Sequence, residues 1–339
     1  MPAAGAGCRC GRVVRAGGAG VRAVRAGGAV RRAVPAGGVG ADKRATRRDD
    51  VAPGMAACVV AVAWRRPFSF PNGELMSSDP REWIATLRNS HERLASLVAP
   101  LGADQVGDPS YCSDWTIAQV MSHLGSGAEI SGLMLPGALG EGEPVGQDAF
   151  PPVWDTWNAK SPDAQVADGL AADEKQVQRL EQLTDEELAK VKLPFFGMDL
   201  DAVGMIRLRL GEHAMHPWDI AVSADPAALV SPDAVTLLID NVPQFLAPRL
   251  GKPQEDPLRL RIRTTGPDRD YLLVAADAVS MTDLSGDAGA VPEGVHEITM
   301  PAEALLRLAY GRLDAAHTPA DVEADPADLD RLRAVFPGF

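Results

Sequence analysis

Two different spacings of apolar residues divide this chain. Through residues 79–248 they recur at three- and four-residue steps, and from 258 they alternate with arginine. The first spacing lays an apolar stripe along an α-helix, and the second makes a strand with one wet face. Helices first and strands afterwards predict a helix bundle followed by a small α+β domain. Helical windows fall at 79–102, about 115–135, about 162–183, about 201–222 and about 232–248. Strand windows fall at 258–264, 270–275, 279–284 and 297–300, with a short one near 321–323 and helices over 301–309 and 326–335. The boundaries read from this pattern are an extension over 1–75, a bundle over 76–250 and an α+β domain over 251–339.

Local signals refine the helices. Asp79-Pro80 supplies a cap and a first-turn proline. Ser113 or Asp114 is the expected cap of the second helix. Glycines 125, 127 and 132 in that helix allow close helix approach or mark a break. Residues 136–161, rich in glycine, proline and acid, read as a loop whose Trp154 and Trp157 wall a pocket or staple the loop down. Pro217 is expected to kink the fourth helix.

At 339 residues the chain exceeds a usual single domain, which favours two. Charge is asymmetric: residues 1–75 hold 13 Lys and Arg against 4 Asp and Glu, and the remainder holds 20 against 42. An acidic body is a poor match for nucleic acid, so none is expected as a partner. The first 50 residues are low in complexity, with Arg-Ala-Gly-Gly at 15–18 and 25–28. They read as a disordered extension or as sequence upstream of a start at Met76 or Met55; the alternative is a basic arm. Cysteines 8, 10, 58 and 112 form no disulfide framework and fit a reducing cytosol. The longest apolar run, Met55–Trp64, is too short for a membrane span and ill-placed for a signal peptide. A cytoplasmic protein, monomeric or weakly associating, is expected.

The chemistry concentrates in Leu210-Gly-Glu-His-Ala-Met-His-Pro-Trp-Asp-Ile220. Glu212 and His216 are one turn apart and share a helix face, so they can hold one divalent metal ion. His123, inward on the second helix, is the third candidate, because bundle cores take ligands from facing helices. His213 lies about 100° around the helix from Glu212 and faces elsewhere. Glu212-His213-x-x-His216 departs from the His-Glu-x-x-His of zinc proteases. His91 sits on the first helix's apolar stripe and reads as a packed histidine, with a ligand as the alternative. Asp219 orients His216 or caps a local turn. Trp115 and Trp218 read as core, and no catalysis falls to Cys112.

Two segments, Cys112-Ser-Asp-Trp-Thr-Ile-Ala-Gln-Val-Met-Ser-His123 and Glu212-x-x-x-His216-x-Trp-Asp-Ile220, resemble the mycothiol-dependent maleylpyruvate isomerase family. That family is similar to the DinB-like four-helix metal proteins, and the resemblance covers about 79–339. It implies a metal-binding DinB-like bundle with a C-terminal domain like a sterol-carrier fold. It also implies that His123, Glu212 and His216 bind a divalent ion, zinc foremost, with a fourth position open to mycothiol. The implied activity is a metal-dependent isomerase or S-transferase for a small electrophile. An arginine of the C-terminal domain is then expected to receive substrate carboxylates: Arg312 as the catalytic candidate and Arg307 as a second, cofactor-binding one. The rivals are a non-catalytic ligand- or partner-binding protein with a structural metal, and a zinc-dependent hydrolase.

Overall fold

The computed structural model describes residues 79–338 apart from 113, 196 and 285–293. The expectations for residues 1–75 and for a Ser113 cap lie outside these residues. Helix α1 (Pro80–Val98) starts as its sequence requires, with Asp79 accepting from the Arg81 amide. A short α2 (Ala103–Val106) follows. Helix α3 spans Ile117–Ala138, and its cap is Thr116 rather than Asp114. Thr116 and Gln119 satisfy each other's backbone amides reciprocally, which uses up two otherwise orphaned donors.

The expected loop over 136–161 is a correction. It contains α4 (Phe150–Asn158), with prolines in its first turn, where their missing amides cost nothing. Phe150, Val153 and Trp157 form the buried side of α4. Helix α5 covers Pro162–Glu181 and α6 covers Asp185–Lys190. A hairpin of β1 (Leu193–Phe195) and β2 (Met198–Leu200) leads into the central α7 (Ala202–Ala224). Pro217 does not end α7, which continues for seven residues beyond it.

Glycine 125 settles the question left open for α3. Its Cβ would strike the Trp157 ring and lie 2.9 Å from the Gly169 Cα, so α3 and α5 meet at their glycines. The buried row of α5 is mostly polar or small. Gln165, Gly169, Asp173 and Val177 are its buried row, whereas Ala171 faces solvent. Gly169 allows the approach, and Asp173 is admitted because three donors meet it.

The fifth helical window breaks into α8 (Pro232–Leu238), a π-helical turn at Val242–Leu246 and α9 (Ala247–Leu250). Four strands follow: β3 (Leu258–Thr265), β4 (Arg269–Ala275), β5 (Val279–Asp283) and β6 (His296–Pro301). Their order is β5-β4-β3-β6, antiparallel except for the parallel β3–β6 pair. In β3 the residues Leu258, Leu260 and Ile262 are buried and Arg259 and Arg263 exposed, as the alternation predicts. Helices α10 (Ala302–Ala309) and α11 (Pro326–Val335) complete the domain, and Glu323 bridges to Thr299 at the edge.

One apolar core runs from the helices into the sheet, including Leu210, Leu238, Val242, Leu260, Tyr271 and Leu305. Asp240 adds a polar joint there, accepting from Arg269 Nε at 2.6 Å and Nη2 at 2.9 Å. Among the described residues no helix is long and apolar enough to cross a membrane.

Candidate metal centre

The antiparallel passage of α3 beside α7 brings the three predicted donors together. His123 Nε2 lies 2.8 Å from Glu212 Oε2, and His216 Nε2 lies 3.3 Å from the same oxygen. One ligand atom from each falls within 4.8 Å of the others. The side chains of His123 and Glu212 keep 17% and 20% of their surface, whereas His216 keeps 3%, so the group is reached from the His123–Glu212 side.

Electrostatics suit a cation. Burial works to raise the Glu212 carboxyl, but hydrogen bonds from His123 and His216 outweigh it and hold the group far below the usual range. Burial pushes His123 down, leaving it a neutral imidazole with a lone pair to offer. His216 is also opposed by burial, yet its hydrogen bonds to Asp219 and Glu212 lift it to about 9. A positive charge is therefore favoured between these carboxylates, and the donor set of two imidazoles and a carboxylate fits a divalent metal.

Behind His216 stands Asp219, fully buried, which accepts from His216 Nδ1 at 2.9 Å. Burial raises its carboxyl, but the charge of Arg312 and hydrogen bonds from His216 and Arg312 lower it to about 2. Arg312 Nε and Nη2 reach the two Asp219 oxygens at 2.7 and 2.8 Å. Cys112 Sγ lies 3.3 Å from Asp219 Oδ2, so Cys112, His216 and Asp219 form a second cluster of possible ligands. The guanidinium fixed on Asp219 repels a cation there, which leaves the His123 side as the candidate.

Arg312 is thus turned onto Asp219, 5% exposed, and its fork is engaged by a carboxylate of the protein itself. Arg307 is held by Glu303 and by the carbonyls of Arg312 and His317, with its guanidinium 4.8 Å from the Trp218 ring. Trp115, read from the sequence as core, is buried but packs on the centre, 5.2 Å from the His123 ring and 6.0 Å from that of His216. The Tyr310 hydroxyl, which the sequence left unremarked, lies where a Gly211 Cβ would come within 2.9 Å of it, beside Glu212. Its adjacency to Gly311-Arg312 was the available signal.

A second polar cluster lies one turn away. Asp173, fully buried, accepts from His91 Nδ1 at 2.7 Å, Arg209 Nη2 at 2.7 Å and His213 Nε2 at 2.9 Å. The packed reading of His91 and the turn of His213 away from Glu212 both hold, since each is buried against Asp173 instead of the donor set.

The fold and this geometry define a class: a helix bundle with an inward His-Glu-His donor group and an appended small sheet domain. Residues 87–221 match the family model of the mycothiol maleylpyruvate isomerase N-terminal domain. The matched stretch carries His123, Glu212, His216 and Asp219. An uncharacterized protein of Mycobacterium tuberculosis is 31% identical over 157 residues, 42% of this chain. The match spans 57% of that relative's length. A Geobacillus thermodenitrificans protein with the provisional name metal-dependent hydrolase is 31% identical over 104 residues, 29% of this chain and 56% of its own. The crystal structure of the mycothiol-dependent maleylpyruvate isomerase superposes with a TM-score of 0.52 at 14% identity, covering 70% of this chain and 91% of that one. At such identity the likeness establishes the fold alone, a helix bundle with a small C-terminal sheet domain.

Proposed function

We propose that the chain holds one divalent cation, zinc foremost, on His123, Glu212 and His216 and works with mycothiol as an isomerase or S-transferase on a small electrophile. The observation that carries this reading is the convergence of three donor atoms from α3 and α7, open on one side, inside the family-matched segment. The bound cation would keep a thiol sulfur as thiolate at neutral pH and so supply a nucleophile. His123 offers its lone pair without losing a proton, and Glu212 supplies the countercharge. Asp219 holds the His216 ring so that Nε2 faces Glu212, and Trp115 excludes water from one flank of both imidazoles. The same donors suit iron, manganese and nickel in differing degrees. A reducing cytosol is the proposed setting, as a thiol cofactor requires one.

The name carried by the Geobacillus relative favours a second reading, a metal-dependent hydrolase. Metal analysis of the full chain, wild type beside His216→Ala, with a mycothiol titration on both, separates the two. About one metal ion per wild-type chain, none in the variant, and thiol binding only in the loaded protein is the expected result. Metal without thiol binding transfers support to the hydrolase. Neither in the wild type leaves a non-catalytic binding protein.

A further inference from the structure

The turn that leaves α10 reaches back into the bundle. Gly311 takes φ 74°, in the left-handed region, and a Cβ on it would run into the Gly338 backbone. That turn delivers Arg312 to Asp219 across 93 residues of sequence, with Nη1 tied to the Tyr310 carbonyl at 3.0 Å. The Asp219 oxygen that accepts from Arg312 Nη2 at 2.8 Å also accepts from His216 Nδ1 at 2.9 Å. A continuous path of charge-assisted hydrogen bonds therefore runs from the sheet domain to a donor atom of the candidate centre.

We propose that Arg312 is a positioning residue: by clamping Asp219 it fixes the tautomer and tilt of His216, so the sheet domain sets the metal affinity of the bundle. The inference rests on the metal reading above. An imidazole has two nitrogens, and the partner of one decides which proton the other lacks. A carboxylate gripped at both oxygens cannot rotate, so its Oδ2 stays on Nδ1 and the Nε2 lone pair stays on the Glu212 side. Loss of such an outer partner of a ligating histidine typically weakens metal binding about 10–100-fold. Lysine keeps the charge but not the planar fork, so it cannot restore a two-point grip. A guanidinium held this way is also unavailable as the receiver of a substrate carboxylate.

A tether between domains would use the same ion pair, so the test must read the centre itself. The full chain is compared as wild type, Arg312→Lys, and the double variant Asp219→Asn/Arg312→Met, which removes both buried charges together and keeps the packing. Zinc affinity is measured by chelator competition, the cobalt-loaded absorption spectrum is recorded, and ¹⁵N shifts of the His216 ring are read in the metal-free protein above pH 9, where the ring is neutral. We expect zinc affinity to fall about 10–100-fold in both variants, with a changed cobalt spectrum and a mixed His216 tautomer. Thermal unfolding of the metal-free double variant confirms that the fold is kept. Zinc affinity within about twofold of wild type in the folded double variant, with an unchanged ring signal, overturns the positioning role and leaves the metal reading standing. Absence of zinc binding in the wild type overturns both.

Discussion

Replacing Asp173 with asparagine is expected to lower the unfolding free energy by about 3–5 kcal/mol, the usual cost of removing one member of a buried ion pair. The carboxylate is fully buried and gathers Arg209 from α7, His91 from α1 and His213 from α7, while Arg209 also holds the Leu124 carbonyl of α3. Asparagine has nearly the same shape but leaves the Arg209 guanidinium without its countercharge in the middle of four helices. Urea denaturation at pH 7 measures the loss, and a change under about 1 kcal/mol rejects this account of the cluster.

The same carboxylate gives the pH dependence its sign. Burial works to raise the Asp173 carboxyl, but the charges of His213 and Arg209 and the bonds from His213 and His91 hold it well below the ordinary value. A folded-state value lowered in this way contributes stability that is fully present above the unfolded carboxyl's range. That stability disappears as pH falls below about 3.9 toward the folded value. In Asp173→Asn this acid-side slope should flatten.

A cation on the donor set is expected to act as a clip between α3 and α7. His123 and Glu212 are 89 residues apart in sequence and meet at 2.8 Å. Zinc at a hundred times its dissociation constant should raise the unfolding free energy of the wild type by about 2.7 kcal/mol. Glu212→Gln, which keeps the shape and removes the charge, should gain nothing measurable from the metal. Thermal unfolding with and without zinc, reversed by a chelator, checks both halves. A gain in the variant equal to that of the wild type would move the metal elsewhere in the molecule.

Much of this architecture is written in local spacing. The stripe on α1 and the alternation in β3 are read directly, because one side of each element is apolar. Helix α4 escaped notice because Pro151 and Pro152 look like breakers, although they occupy the turn that tolerates them. The row Gln165, Gly169, Asp173 on α5 escaped for a different reason. None of its members is hydrophobic, and their burial depends on a glycine contact and on cations brought from other helices.

The centre divides along the same line. Glu212 and His216 declare themselves by a four-residue interval on an apolar helix, and His123 by its inward place on a facing helix, before the resemblance implies a metal on all three. The grip of Arg312 on Asp219 and the closeness of Tyr310 to Gly211 are tertiary facts joining distant segments, and no spacing rule encodes them. Trp115 was assigned its burial correctly and its neighbours not at all.

Those neighbours give the molecule a built-in optical reporter. The indole of Trp115 is within ring-contact range of two of the three donors, so any charge that arrives at or leaves them alters the field across its chromophore. Occupancy of the site is thereby written into the protein's own near-ultraviolet signal, readable without a label.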